Sequence, residues 1–192
     1  VELLSAALLR ANQAKLKIEA SRRAEWELLL GEAYVNLAEY LKGRQHLEIG
    51  LSLFGQAVPH TWPGELIGIF TLALQQLLHR LLPSFFVGRF ASQQANLLAA
   101  SRACERLVEV YYITSEMPLS LYMAFRTLNL AESAGPSPEL ARGYATFGAL
   151  VGFIPLHSVA TAYLRRALNT VEGVDDLIAH NWVNIAVAFY YT

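Results

Sequence analysis

The side chains most able to do chemistry are five histidines, His46, His60, His79, His157 and His180, and one cysteine, Cys104. A zinc site built on a helix needs ligands at i and i+3 or i+4, so that they share a face. No His in this chain has another His or Cys at that spacing, so no metal is expected. A cysteine nucleophile needs an adjacent base and an oriented pocket. Cys104 lies in an apolar helical stretch and reads as core packing, the usual fate of a free cysteine. His79 and Arg80 could together hold a phosphate, but they read as the polar side of a long amphipathic helix. A phosphate loop of the form Gly-x-x-x-x-Gly-Lys-Ser/Thr is absent, as are Gly-x-Ser-x-Gly and His-Glu-x-x-His. The expectation is a chain with no cofactor, no metal and no catalytic residue of its own.

The elements that would carry these residues are helices. Good helix formers dominate, and Val/Ile/Thr alternation and Asn-Gly or Asp-Gly hairpin turns are missing. Breakers fall at 55–63, 83–88, 115–118, 134–138, 152–155 and 171–174. The plainest helix start is Ser137-Pro138-Glu139-Leu140. Ser137 can cap the free amides, Pro138 suits the first helical position, and Glu139 complements the helix dipole. Gly135 just before it suits the end of the preceding helix.

Composition narrows the function further. The chain has 192 residues, 54% hydrophobic and 16% charged, with a formal net charge of -1. Disorder is excluded by the apolar content, and no basic excess exists to attract nucleic acid or an anionic membrane. The mean hydropathy of +0.31 requires a test for membrane spans. The longest uncharged window, 143–164, is interrupted by Pro155 and by Gly148, Gly152 and His157; the second, 66–86, holds Gln75, Gln76, His79 and Arg80. Neither reads as a span. The N-terminal apolar stretch runs into Arg10, Lys15 and Lys17 with no cleavage site. A single cysteine fits a reducing, cytoplasmic setting. The chain begins at Val1 and ends in an apolar helical pattern, so it reads as one repeat domain over 1–192 of a larger protein.

Helices of this length separated by short turns call for a repeat search. Tyr144, Phe147, Gly148 and Val151, followed by Ala160, Leu164 and Ala167, fill the slots of a tetratricopeptide unit. Gly148 and Ala160 stand twelve apart, where two helices must approach closely. Cys104, Leu107, Val108 and Tyr111 with Ser120 and Ala124 form a looser unit. Leu30, Gly31 and Tyr34 with Gly43, Leu47 and Gly50 form an earlier one, and Trp182, Ile185, Ala186 and Phe189 open a last one. Gly31 and Val108 are 77 residues apart. That gap predicts a degraded unit with a helix at about 63–82 and a second from near Ala91. The fold class expected is all-α: an α-solenoid of four to five antiparallel helix pairs in a right-handed superhelix.

The runs Leu30-Gly31-Glu32-Ala33-Tyr34 and Leu78-His79-Arg80-Leu81-Leu82-Pro83 are two parts of a wider likeness. The strongest part is Asn129-Leu130-Ala131-Glu132-Ser133-Ala134-Gly135-Pro136-Ser137-Pro138-Glu139-Leu140-Ala141, with Tyr163-Leu164-Arg165-Arg166-Ala167-Leu168 after it. From about Arg23 to Tyr191 the chain resembles the tetratricopeptide-like helical region of large bacterial signalling ATPases. These are often linked to a class III adenylate or guanylate cyclase domain. The resemblance implies a regulatory or scaffolding role in signal transduction. It carries neither ATPase nor cyclase activity over to this chain, whose sequence lacks those motifs.

The remaining candidate site is the concave face of such an array. In the register above it is lined by Glu32, Asn36, Arg102, Glu105, Glu109, Tyr112, Arg142, Asn184 and Tyr190. A polar groove with aromatics suits a protein or peptide partner. The alternatives are a small-molecule sensor, as in LuxR-type regulators, and a helical accessory part of a cyclase or ATPase. Trp182, Ile185 and Phe189 are expected on an uncovered repeat end, where they would drive self-association.

Overall fold

Local chemistry sets the helix starts as the sequence requires. In the computed structural model, which describes residues 1–13 and 19–192, Ser137 Oγ accepts from the Leu140 amide at 3.1 Å. Asp176 does the same for Ala179 at 2.8 Å and Thr61 for Gly64 at 3.3 Å. Gly135 stops the preceding helix with φ +102°, a conformation that side chains resist. Lys15 and Lys17 lie outside the described residues.

Among the described residues there are ten α-helices and no strand. They are α1 (Glu2–Gln13), α2 (Ala20–Asn36), α3 (Tyr40–Leu53), α4 (Trp62–Leu81), α5 (Pro83–Phe86), α6 (Gln94–Ile113), α7 (Met117–Ala134), α8 (Pro138–Gly152), α9 (His157–Val171) and α10 (Leu177–Tyr191). The window 143–164 is divided between α8 and α9, and 66–86 between α4 and α5. No helix among the described residues is long and apolar enough to cross a membrane.

Three pairs of consecutive helices pack most extensively: α2 with α3, α6 with α7, and α8 with α9. Each pair has the same close approach between positions twelve apart. A Cβ on Gly43 would stand 3.1 Å from the Gly31 carbonyl oxygen, and one on Gly148 would stand 3.2 Å from that of Ala160. In the middle pair Ser120 Oγ donates to the Val108 carbonyl at 3.1 Å. Leu47 and Leu164, sixteen residues beyond Gly31 and Gly148, fill the space those glycines leave. Small residues here let two backbones meet, and the buried apolar side chains then interdigitate around the crossing. Cys104 and Tyr111 are fully buried in this core, whereas Tyr112 faces out.

The pairs also pack on one another. Helices α2 and α3 lie directly against α6, α7 against α8, and α10 against α8 and α9. The degraded unit expected between Gly31 and Val108 is therefore not stacked there. Its helix boundaries are close to those expected, but α6 pairs with α7, and α4 lies along α7 instead. The described chain holds three such pairs plus α10, fewer than the four to five expected.

A buried polar cluster explains the placement of α4. Glu132 of α7 is fully buried. Its Oε2 accepts from His79 Nδ1 at 2.6 Å and from Gln76 Nε2 at 2.7 Å, and its Oε1 accepts from Tyr144 of α8 at 2.6 Å. Arg80 pairs with the same carboxylate and lies over the rings of Tyr144 and Tyr163. Gln76 donates to Asn129 at 2.6 Å and accepts from Tyr163 of α9 at 2.8 Å. A buried carboxylate is tolerated only when its lone pairs are so satisfied. The expected polar side of α4 thus exists, but it faces inward: Gln76 and His79 are the only buried residues of this helix. His79 and Arg80 do lie on the polar side of α4, and Glu132 turns that side inward.

Burial and the neighbouring Arg80 charge hold His79 down to about 4, from an ordinary 6.5. Glu132 is already matched by Arg80, so an imidazolium would be a second buried cation without a counter-charge. With its folded value depressed, His79 contributes stability in full above about 6.5, and the contribution falls as pH drops towards about 4. Wild type should therefore lose more stability between pH of about 7.5 and about 5 than His79→Gln, whose amide cannot titrate. Urea midpoints at both pH values check this; parallel losses in the two proteins would contradict it.

Candidate functional site

An open groove lies along the first helices of the pairs, whereas α4 lies along α7. The groove has a volume of about 740 Å³ and is bordered by α2, α6, α8 and α10. Six of the nine residues expected to line a groove do so: Glu32, Arg102, Glu105, Glu109, Tyr112 and Arg142. They come together because α6 and α8, the first helices of adjacent pairs, present their exposed sides to the same space.

Their charges are largely matched within the groove. Arg102 donates to Glu139 at 2.7 Å, Arg142 to both oxygens of Glu105 at 3.1 and 3.2 Å, and Arg106 to Glu109 at 3.3 Å. The first two pairs bridge α6 to α8, and Glu139 also sits at the α8 N-terminus, where the helix dipole favours a carboxylate. Burial raises the Glu105 carboxyl above its ordinary value, and the Arg142 charge works against that rise. Glu32 and Asp176 also line the groove, so carboxylates outnumber guanidinium groups there.

The other wall is apolar. Ile178, Trp182, Ile185 and Phe189 of α10 project into the groove beside Leu150 and Phe153. Tyr112 stacks on Phe153 at 6.3 Å between ring centres, and Phe189 meets Phe153 edge-on at 5.9 Å. This aromatic row joins α6 to α10. Trp182 Nε1 donates to Thr146 at 3.0 Å, which fixes its ring while leaving it 43% exposed.

Three expected residues lie elsewhere. Asn36 is the last residue of α2 and is exposed at its end. Asn184 is two residues from Trp182, which at about 100° per residue turns it to the far side of α10. Tyr190 packs over Gly152 and reaches His157 Nδ1 at 3.1 Å, away from the groove. The stripe 178, 182, 185 and 189 was legible as a helical face, but the expected register treated those residues as an uncovered end. The structure turns that end into a wall of the groove.

Among the described residues no three His, Cys, Asp or Glu side chains cluster as a metal site would require. Burial pushes the Cys104 thiol up to about 12, so it is not a thiolate nucleophile near neutral pH. No family model matches the chain, and no curated protein or solved structure matches it.

Arg142 and Glu105 are each about one-seventh exposed, with side chains at 14% and 15%. Arg142→Met should cost about 1–3 kcal/mol by leaving the Glu105 carboxylate unsatisfied, and Arg102→Met, from a more exposed pair, under about 1 kcal/mol. A carboxyl with a raised folded value is least costly to stability when protonated. The Arg142→Met deficit should therefore shrink on acidification from pH of about 7.5 to about 5. Chemical denaturation checks this; a deficit that grows on acidification would contradict it.

Proposed function

We propose that this chain is a non-catalytic, protein-binding domain that receives a segment of a partner protein in the α6–α8–α10 groove. In this reading the three helix pairs are tetratricopeptide-like units of a right-handed array. The repeated contact between positions twelve apart supports that, as does the direct stacking of α2–α3, α6–α7 and α8–α9 in chain order. The domain then serves as a regulatory scaffold within a cytoplasmic signalling protein, in line with the resemblance of its sequence.

The observation that carries the proposal is the pairing of two unlike walls. One is a row of exposed aromatic and aliphatic side chains; the other is a charged surface whose arginines are already occupied. Such a groove takes an amphipathic helix or extended peptide. Apolar anchors would lie against Phe153, Trp182, Ile185 and Phe189, the kind of central aromatic contacts that dominate binding energy. Lys or Arg of the partner would face Glu32, and Glu109 in exchange for its exposed pair with Arg106. A second reading, a small-molecule sensor, is supported by the groove volume, which lies within the range of ligand pockets.

Selection from a displayed library of helical peptides tests the proposal. Wild type should enrich peptides with apolar anchors at i, i+3/i+4 and i+7 flanked by basic residues. Ile185→Glu should weaken them about tenfold or more, and Glu109→Lys should reduce the preference for basic flanks. Selected peptides that bind wild type and Ile185→Glu equally would contradict the groove assignment. A metabolite that raises the melting temperature, with no peptide enriched, would favour the sensor reading.

A further inference from the structure

Helix α4 leaves its apolar side uncovered. Because Gln76 and His79 are turned inward to Glu132, the residues that would normally form a core face point to solvent. Ile67, Phe70, Leu74, Leu77 and Leu81 are all exposed, Phe70 at 72% and Ile67 at 67%. Their spacing is three, four, three and four residues. That is the alternation of a coiled-coil seam, which keeps one stripe facing a partner helix along its length. We infer that this seam is a homodimer interface, in which α4 packs on the α4 of a second copy of the chain. The inference concerns a helix that does not line the groove and is independent of the proposed function.

Three observations identify a second copy as the occupant. The first is area. The seam and its flanking Leu66 and Leu78 together expose on the order of 700 Å² of apolar side chain. That is close to the about 800 Å² each partner contributes to a stable complex, and well above a scattered-residue surface. The second is charge. The positions beside the seam are Leu66, Thr71, Ala73, Leu78 and Arg80, and the Arg80 charge is tied to Glu132 inside the protein. They offer no uncommitted charge of the kind that selects a differently charged partner at coiled-coil edges. A surface without such a selector is complementary to itself, as a two-fold interface requires. The third is rigidity. The Glu132 cluster holds α4 along α7, with Tyr163 of α9 also reaching Gln76. A seam of about two heptads, marginal for a free peptide, is here preorganised and spared most of the ordering cost.

A lipid surface fits less well. Helices that lie on membranes carry Lys and Arg on their polar side, facing the headgroups. The polar side of α4 is buried in protein, and its one basic side chain beyond His79, Arg80, is paired with Glu132.

The seam has a centre that makes the test specific. Leu74 is seven residues from Ile67 and seven from Leu81. As the middle residue of the seam it lies against its own copy in a parallel pair and is the seam residue nearest its own copy in an antiparallel one. Cys104 is wholly buried, so it does not compete in oxidation. The full chain is studied by sedimentation and light scattering at tens of micromolar, with Phe70→Glu/Leu77→Glu, Leu74→Cys and Ile185→Cys variants. Wild type should have twice the chain mass. The double-glutamate variant should keep the wild-type helical circular dichroism and associate at least about a hundredfold more weakly, since it places carboxylates in an apolar contact. Oxidised Leu74→Cys should run as a covalent dimer, and Ile185→Cys, in the groove wall, should not. A monomeric wild type overturns the inference, as does a dimer that survives the two glutamates. It is equally overturned if Ile185→Cys crosslinks and Leu74→Cys does not. Monomeric wild type that floats with vesicles of neutral and anionic phospholipid, while the double-glutamate variant does not, would instead assign the seam to a lipid surface.

Discussion

One buried carboxylate governs how this chain is arranged. Glu132 has no exposed surface, and an ion in that position must be met by hydrogen bonds and opposite charge from every side. It draws its partners from α4 and α8 at once, and Gln76 extends the network to α9. Removing any one partner leaves the others desolvated and unmatched, so the network acts as a unit. Its bonds fix where α4 lies, whereas the desolvation of the buried charges offsets much of their attraction. The orientation of α4, and therefore the apolar stripe on the outside, follows from this satisfaction requirement together with Ile69 and Leu72, which pack on the core from the same face.

The groove depends on a different constraint, the close approach of helices within each pair. Small residues at Gly31, Gly43, Gly148 and Ala160 let backbones nearly touch. Tight pairs can then pack on one another through α6, α7 and α8, which aligns the outward sides of α6 and α8. Ion pairs between those helices occupy the arginines and leave carboxylates in excess. Helix α10 docks on its neighbours with Ala179, Val183 and Ala186 buried, and the adjoining stripe of Ile178, Trp182, Ile185 and Phe189 becomes the apolar wall. Cores on one side and a recognition surface on the other thus arise from the same helices.

Much of this was legible in the sequence, for reasons of local chemistry. Ser137, Pro138 and Gly135 mark helix ends through backbone hydrogen bonding and φ preference, which need no tertiary information. Positions twelve apart marked the helix pairs, because small residues at a crossing have few other uses. The orientation of α4 was not legible. A periodic pattern shows that a helix has two faces, but which one turns inward depends on what waits there. Here that was Glu132, some fifty residues away in sequence and ordinary in appearance within its helical run. Asn184 and Tyr190 failed for a related reason: the rotation of α10 is set by its contact with α8, and a shift of one or two residues carries a side chain to another face.

Hydrogen exchange of the amides of α4, compared between wild type and Glu132→Ala, tests the central claim most directly. If Glu132 holds α4 in place, its loss should release α4 as a local unit: the amides of Trp62–Leu81 should exchange far faster, while those of α2 and α3 keep their protection. Unchanged protection of α4 in the Glu132→Ala variant would contradict the account, because α4 would then be held by something other than the buried carboxylate.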